Sequence, residues 1–331
     1  MQDAIVVGAG QIGRQAWHHL LYEGFGDVRV LARSKARWIE DEAVSDRFDC
    51  RELGDGPPLE ADVVFDTIAF DAVDIARYDP DRVGHLVLIS SASVYCDTQG
   101  RTLDEARDTG WPEFGGPITE DNPTVAPGPK TYSTRKVRME EQARAMFGDR
   151  VTILRPCAIY GTHSKHPREW WFVKRLLDNR PRIPLIYGGA SRFQATSACD
   201  IAFFGVWSAK KRVGGTYNIG DCDCPTVAER GRVIARHLGC EVEFVPIDEG
   251  VGTVGRTPWS VGRPLIVSSE KLTSHFPYHR EAMTYARQVT DTLDWLRDRT
   301  PADWRAAFPQ LAAYPWDMFD YAAEDRFLEG R

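Results

Sequence analysis

Tyr132 and Lys136 are four residues apart, a spacing that places two side chains on the same face of a helix. A tyrosine phenol ordinarily titrates at about pH 10, which is too high for an effective base at neutral pH. A neighbouring ammonium stabilises the phenolate and lowers that pKa. The pair therefore predicts a tyrosine that exchanges a proton with a substrate hydroxyl, tuned by Lys136.

A cluster of serines precedes this pair, directly after an apolar stretch at residues 86–89. In an open parallel sheet, ligands bind at the carboxyl ends of the strands, which is where these serines would lie. A serine of this cluster is the candidate to hold the substrate oxygen beside Tyr132. Ser93 is a candidate substrate contact.

Three glycines, Gly8, Gly10 and Gly13, stand between the first apolar stretch and a helical stripe. They would permit a tight turn, close approach of the backbone to a pyrophosphate, and close packing of helix and strand. The phosphates would meet free N–H groups in the first helical turn, which holds Gln11 and Ile12. The pattern predicts a bound dinucleotide and, with the tyrosine, hydride transfer at a carbon that bears oxygen.

The end of the second predicted strand indicates which dinucleotide is bound. NAD-selective sites usually place an acidic residue there, but residues 31–34 read Leu-Ala-Arg-Ser. Arg33 could face a 2′-phosphate and Arg14 could join it, because guanidinium groups suit phosphate. The sequence favours NADP(H) over NAD(H). The alternative is that both arginines are solvated surface residues.

Apolar stretches that alternate with helical patterns predict the elements that position these residues. They favour an α/β fold with a Rossmann-type doubly wound parallel sheet. The predicted strands lie at residues 5–7, 28–31, 63–65, 86–89 and 151–154. We expect a short helix near residues 103–107 and an amphipathic helix over residues 281–297.

Three regions are predicted along the chain of 331 residues. Residues 1–161 would form the dinucleotide-binding domain, with residues 97–131 as a long active-site loop. Residues 162–300 would be mostly a smaller substrate-binding region, with returns to the sheet at residues 200–209 and 216–219. Residues 301–331 form an aromatic-rich tail, which we expect to pack on the body or on a second subunit.

Composition limits the classes of function. The net charge of −7 gives no global field that attracts nucleic acid or anionic membrane, and no apolar stretch is long enough to span a bilayer. The seven cysteines are scattered without metal-ligand spacing, so we expect no metal site and reduced thiols. These features predict a cytoplasmic protein without a signal peptide.

Together with the glycine, serine and tyrosine motifs above, several further segments of the chain resemble the short-chain dehydrogenase/reductase superfamily, in its extended branch of epimerase/dehydratase-like proteins. The matching segments follow the family order and are residues 8–13, 88–95, 132–136, 154–161, 200–202 and 217–220. The resemblance implies that Ser91, Tyr132 and Lys136 are catalytic, and that the lysine also binds the nicotinamide ribose. It implies that Pro156 and Ile159 pack near the nicotinamide.

The chain departs from the family pattern in several places. Thr67 lies in a segment that replaces the usual H-x-A-A and is a candidate cofactor contact. The short crossover after it removes much of a helix through which many relatives dimerise, so the oligomeric state stays open. Ala92 and Ser93 stand where sugar-nucleotide 4,6-dehydratases carry acidic residues, which argues against dehydration.

Basic residues after the Tyr160-Gly161 motif, together with Arg192, could bind a phosphate or carboxylate of the substrate. The candidates in that loop are His163, Lys165 and Arg168. The leading prediction is an NADP(H)-dependent oxidoreductase acting on a ketone or secondary alcohol of a polar, sugar-like or phosphorylated small molecule. The alternatives are an NAD-dependent sugar-nucleotide epimerase and, from another class, a non-catalytic dinucleotide-sensing or RNA-binding relative.

Overall fold

The computed structural model describes residues 2–42, 44–248, 252–276 and 280–329. The chain divides into two compact units. The first comprises residues 1–159, 198–220 and 267–276, and the second comprises residues 160–197, 221–266 and 277–331. In the described ranges, no helix is both long and apolar enough to cross a membrane.

Strands and helices alternate along most of the chain. The strands are β1 (Asp3–Val7), β2 (Asp27–Ala32), β3 (Phe48–Cys50), β4 (Ala61–Asp66), β5 (Val83–Ile89), β6 (Val151–Pro156), β7 (Ala158–Tyr160), β8 (Arg182–Ile186), β9 (Ala195–Ser197), β10 (Gly215–Ile219) and β11 (Glu243–Ile247). The α-helices are α1 (Gln11–Tyr22), α2 (Arg37–Asp41), α3 (Ala72–Ile75), α4 (Ala106–Thr109), α5 (Tyr132–Phe147), α6 (Trp170–Leu177), α7 (Ala198–Lys211), α8 (Val227–Leu238), α9 (Glu270–Thr273), α10 (Tyr285–Gln288), α11 (Thr290–Arg299), α12 (Trp304–Ala307), α13 (Pro309–Ala312) and α14 (Tyr321–Glu329).

The first unit is built on a seven-stranded parallel sheet in the order β10-β6-β5-β4-β1-β2-β3. Strand order reverses between β1 and β4, and ligands of such sheets bind at that point, beyond the carboxyl ends of the strands. The sheet confirms the predicted Rossmann-type fold. It also confirms that residues 216–219 return to the sheet, in β10, beside β6.

Successive strand residues point to opposite sides of this sheet, and helices cover both sides. Leu86 and Leu88 share one buried cluster with Met139 of α5, on the face where α3 packs against α5. On the other face α1 packs against α7, and Gly205 of α7 lies so close to Phe65 that a Cβ there would be 2.5 Å from the ring. Both faces of the central strands are therefore buried.

Two predicted helices differ from the observed ones. The helix expected near residues 103–107 is α4, which begins at Ala106. The single helix expected over residues 281–297 is divided into α10 and α11 at the fully buried Val289. No proline or glycine marks this break in the sequence, so the pattern of apolar residues alone could not predict it.

The second unit holds the C-terminal tail through a buried arginine. The guanidinium of Arg175 in α6 lies 3.5 Å from the ring centroid of Trp171. It donates hydrogen bonds to the carboxylate of Glu324 in α14 and to the carbonyl of Met318, each at 2.5 Å. A charge that is 1% exposed needs such a partner, so α14 is fixed to α6.

Candidate active site

The glycine turn between β1 and α1 is sterically required. Gly8 has a positive φ of 104°, and a Cβ there would lie 2.3 Å from Oγ1 of Thr67. A Cβ on Gly13 would lie 1.9 Å from the carbonyl oxygen of Gly8. Gly10 differs: among the described residues, no atom apart from its chain neighbours lies within 4 Å of the position its Cβ would take, and no side chain caps α1. This opening at the start of α1 fits a pyrophosphate on the N–H groups of its first turn, where Gln11 and Ile12 lie.

The turn after β4 braces the glycine turn. The hydroxyl and the N–H of Thr67 both donate to the carbonyl of Val7, at 2.9 Å each. Asp66 is fully buried and accepts from the N–H groups of Ile68 and Ala69 and from the hydroxyl of Tyr78. The Thr67 hydroxyl already donates to Val7, and a contact between Thr67 and a cofactor stays a prediction.

The two arginines expected to select NADP(H) are placed differently. The Nε of Arg14 donates to Glu42 at 2.6 Å, and the same carboxylate lies 2.8 Å from Nε2 of His18. Arg33 has 75% of its side chain exposed, with Nη1 3.9 Å from Glu52. Arg33 is therefore accessible to a 2′-phosphate, whereas much of the charge of Arg14 is already balanced. The preference for NADP(H) stays a prediction.

Tyr132 and Lys136 lie at the start of α5, where Thr131 and Thr134 form a capping box. Tyr132 is 40% exposed, and Ser91, just beyond the end of β5, lies near enough for its hydroxyl to lower the pKa of the tyrosine. The Nζ of Lys136 lies 5.7 Å from the centroid of the tyrosine ring. The structure thus brings together the three residues that the sequence predicted to be catalytic.

The electrostatics of this trio differ from the prediction. Lys136 is buried and donates to the carbonyls of Ala69, at 2.7 Å, and Ile89, at 2.9 Å. Burial lowers the pKa of Lys136 to about 8. The pKa of Tyr132 is raised, chiefly by burial and further by the charge of Asp104, although the nearby Ser91 hydroxyl acts to lower it. The predicted lowering of the tyrosine pKa by the lysine is wrong here, because the ammonium points to backbone carbonyls.

A second polar group lies beside the trio and was missed by the sequence analysis. The hydroxyl of Ser133, which is 1% exposed, donates to Asp104 at 2.7 Å and lies 3.3 Å from the hydroxyl of Ser93. Ser93 in turn donates its N–H to the hydroxyl of Ser91 at 3.1 Å. Asp104 comes from the long loop before α5, so no fixed spacing could have signalled it.

A buried ion pair beneath the site was also missed. Glu140 lies one turn after the lysine on α5 and accepts from the Nε and Nη2 of Arg155 at 2.9 and 2.5 Å. It also accepts from the hydroxyl of Ser90 at 2.6 Å. Arg155 donates further to the hydroxyl of Tyr95 at 2.8 Å. The spacing of Lys136 and Glu140, again four residues, was the available signal.

Two predicted nicotinamide contacts follow this ion pair in the chain. Pro156 is the buried last residue of β6, and it pairs in register with Ile219. Ile159 is half-buried in β7. Their contact with a cofactor stays a prediction.

The four basic candidates for substrate binding lie in the second unit, whereas Ser93 lies in the first. The guanidinium of Arg168 lies 5.5 Å from the ring centroid of Trp259. The Nη2 of Arg192 is 3.9 Å from Glu229. His163 has a φ of 61°. Lys165 is exposed. Their roles stay predictions.

Comparison with known proteins places this chain by its fold. No family model matches the sequence, and no curated protein sequence matches it. A dTDP-glucose 4,6-dehydratase from Bacillus anthracis str. Ames in complex with NAD is 21% identical, with a TM-score of 0.64 over 92% of this chain and 98% of that one. A UDP-glucose 4-epimerase from Stenotrophomonas maltophila, with bound NAD and formylated UDP-arabinopyranose, is 17% identical, with a TM-score of 0.66 over 92% and 100%.

A third similar structure is a UDP-N-acetylglucosamine 4-epimerase from Methanobrevibacter ruminantium M1 in complex with UDP-N-acetylmuramic acid. It is 17% identical, with a TM-score of 0.66 over 90% of this chain and 99% of that one. These neighbours are the epimerases and dehydratases to which the sequence resemblance pointed. At such low identity these neighbours establish only the fold, which they share over at least 90% of this chain, and the predicted fold is confirmed.

Proposed function

We propose that this protein is a nicotinamide-dinucleotide-dependent oxidoreductase that transfers hydride at a ketone or secondary alcohol. Its substrate would be a polar, sugar-like or phosphorylated small molecule. The observation that carries the proposal is that Tyr132 and the buried Lys136 share the start of α5 beside Ser91 at the end of β5, in the same unit as the glycine turn. A sensor of dinucleotides would not require this arrangement.

Each residue has a distinct task in the proposed reaction. A dinucleotide held at the glycine turn would provide the chemistry of hydride transfer at the carbon that bears oxygen. Ser91 and Tyr132 hold the substrate oxygen, and the tyrosine hydroxyl gives its proton to that oxygen during reduction or recovers it during oxidation. The Lys136 ammonium has three N–H groups, and backbone carbonyls occupy two of them. The third would hold a ribose hydroxyl.

The cofactor preference and the type of turnover are proposed together. The exposed Arg33 and the lack of an acid at residues 31–34 support NADP(H) and net reduction. The similar structures support the second candidate, a sugar-nucleotide epimerase, because their names include UDP-sugar epimerases and bound NAD. NAD retained through purification would favour the epimerase. A preference for added NADPH would favour net reduction.

Replacement of Tyr132 by phenylalanine tests the proposal. Binding of NADPH and NADH would be followed by nicotinamide fluorescence, and turnover would be assayed with UDP-glucose, UDP-N-acetylglucosamine and dTDP-glucose as probes. We expect Tyr132→Phe to bind the dinucleotide like the wild type but to lose turnover by about 10²–10⁴-fold, the usual contribution of a positioned acid/base. Tyr22→Phe, at a tyrosine that is 86% exposed, is the matched control.

Two results would contradict the proposal. If neither dinucleotide binds, the glycine turn is not a cofactor site. If Tyr132→Phe leaves the oxidation of added cofactor unchanged, the result would favour the non-catalytic dinucleotide-sensing or RNA-binding alternative.

A further inference from the structure

The turn after β4 contacts both members of the candidate acid/base pair. The carbonyl of Ala69 accepts a hydrogen bond from the Nζ of Lys136 at 2.7 Å. The ring centroid of Phe70 lies 5.4 Å from that of Tyr132, with an angle of 51° between the two ring planes. Tyr132 and Lys136 are one helical turn apart on α5, so two adjacent residues of the β4 turn face the same side of that helix.

Further contacts fix the backbone and the ring of Phe70. Its N–H donates to the carboxylate of Asp74 at 2.8 Å, and the same carboxylate completes the capping box of α3. The guanidinium of Arg135 lies 5.5 Å from the centroid of the Phe70 ring. Arg135 is itself anchored, because its Nε donates to the carbonyl of Pro129 at 2.8 Å. The half-buried phenyl ring is therefore held from the start of α3 and from α5.

The contact between the two rings matters because much of Tyr132 is accessible, with 40% of the residue exposed at the first position of α5. A tyrosine side chain turns about its χ1 and χ2 bonds, and both decide where its hydroxyl lies. Tilted aromatic pairs are favourable at centroid distances of about 4.5–7 Å, so the Phe70 ring restricts this rotation. A displacement of about 1 Å at a reacting group can cost about 100-fold in rate.

We propose that Phe70 is a positioning residue that holds the ring of Tyr132, so that the tyrosine hydroxyl stays directed at the substrate oxygen. The same turn braces the glycine turn through Thr67 and Val7, so one short segment places both the acid/base group and the predicted cofactor site. Phe70 belongs to the segment that replaces the usual H-x-A-A, so the family pattern does not assign it this role. This inference rests on the proposed function and deepens it.

A purely structural role is the competing explanation. Phe70 could fill space between α3 and α5 without any effect on Tyr132 in the folded protein. The two roles differ in one measurable quantity, the order parameter of the Tyr132 ring, which loss of a space-filling residue would not change. Measurement in the protein without substrate keeps this test independent of turnover.

The experiment is NMR relaxation of protein labelled with ¹³Cε-tyrosine, in which the Tyr132 signal is the one absent from Tyr132→Phe. We expect Phe70→Ala to lower the order parameter of this ring from a rigid value of about 0.85 to below about 0.6. Phe70→Leu, the milder variant, should cause a smaller loss. Phe70→Tyr keeps an aromatic face, adds one new signal and should retain the wild-type value. Phe48→Ala removes a half-buried phenyl ring from β3 in the same unit and should leave the Tyr132 signal unchanged.

The turnover assay gives a second reading. Phe70→Ala should lower kcat by about tenfold or more, because the acid/base group is no longer held in place, and should leave the Kd of NADPH within about twofold of the wild type. Phe70→Tyr should restore most of kcat. A loosened Tyr132 ring with an unchanged kcat would overturn the inference that this packing serves catalysis.

An unchanged order parameter in Phe70→Ala or Phe70→Leu, with the circular dichroism of the folded protein retained, would also overturn the inference. An equal loss of order in Phe48→Ala would do the same, because the effect would then be general to the unit. If the wild type binds no dinucleotide, the proposed function fails, while the order parameters still decide whether Phe70 holds the ring.

Discussion

The buried pair of Glu140 and Arg155 allows a quantitative prediction. Glu140 is fully buried and receives two hydrogen bonds from Arg155, one from Ser90 and a longer one, at 3.3 Å, from the half-exposed Arg144. Glu140→Gln keeps the shape but removes the charge, and it turns an amide N–H₂ toward groups that are themselves donors. Arg155, with 7% of its side chain exposed, would then be a buried cation without a counter-charge.

We expect Glu140→Gln to lower the free energy of unfolding by about 3–5 kcal/mol at pH 7, the cost of removing one partner from a buried pair. Urea unfolding followed by circular dichroism would report this as a lower midpoint at an unchanged slope. The double variant Glu140→Leu with Arg155→Met should recover most of the loss, because it leaves no unpaired charge. Glu141→Gln, on the exposed side of α5, should change stability by less than about 0.5 kcal/mol.

The sign of the pH dependence follows from the same contacts. Burial alone would raise the pKa of Glu140, but the hydrogen bond and charge of Arg155 outweigh it, and the pKa lies below the ordinary value of 4.5. The carboxylate therefore contributes its stability fully above that value and loses it as the pH falls through the lower, folded-state pKa. The difference between wild type and Glu140→Gln should shrink in the same range. A loss below about 1 kcal/mol at pH 7 would refute the reasoning.

Three further predictions follow from the site. Gly13→Ala should abolish dinucleotide binding and destabilise the fold, since its Cβ would lie 1.9 Å from a carbonyl oxygen. Gly10→Ala should fold normally and lose only dinucleotide binding, which isothermal titration would measure. Burial lowers the pKa of Lys136 to about 8, whereas the unfolded chain keeps the ordinary value of 10.5. Between these two values the unfolded chain binds more protons, so the free energy of unfolding should rise with pH there in the wild type and not in Lys136→Met. Arg33→Ser should weaken the binding of NADPH by about tenfold or more and leave that of NADH unchanged; equal effects on both would argue against a 2′-phosphate contact.

Local patterns predicted most of the first unit. The glycine turn and the apolar face of α1 follow from neighbouring residues, and the observed buried positions of α1 include Ile12, Ala16 and Leu20, as the stripe required. A serine near Tyr132 and Lys136 was also predictable, because strand ends and helix faces bring such residues to one edge of the sheet, and the family resemblance singled out Ser91.

The partners of the charged groups could not be predicted in the same way. Spacing shows that Lys136 and Tyr132 share a helix face, but the conformation of the turn after β4 decides where the ammonium points. In this structure the carbonyl of Ala69 is 2.7 Å from the ammonium, and Asp66 holds that carbonyl in place through the N–H of the same residue. The long loop before α5 likewise brings Asp104 to Ser133 through contacts that no periodicity records.

These two unpredicted contacts act on the tyrosine in the same direction. Carbonyl partners withhold the ammonium that would favour a phenolate, and the loop carboxylate adds a charge that disfavours it. A tyrosine so placed holds its proton until another group approaches its hydroxyl. In the proposed reduction, the substrate oxygen would gain negative charge as hydride arrives at its carbon, so proton donation from Tyr132 would be favoured at that step. The groups around the trio would then govern how readily Tyr132 gives up or takes back its proton, in either direction of the reaction.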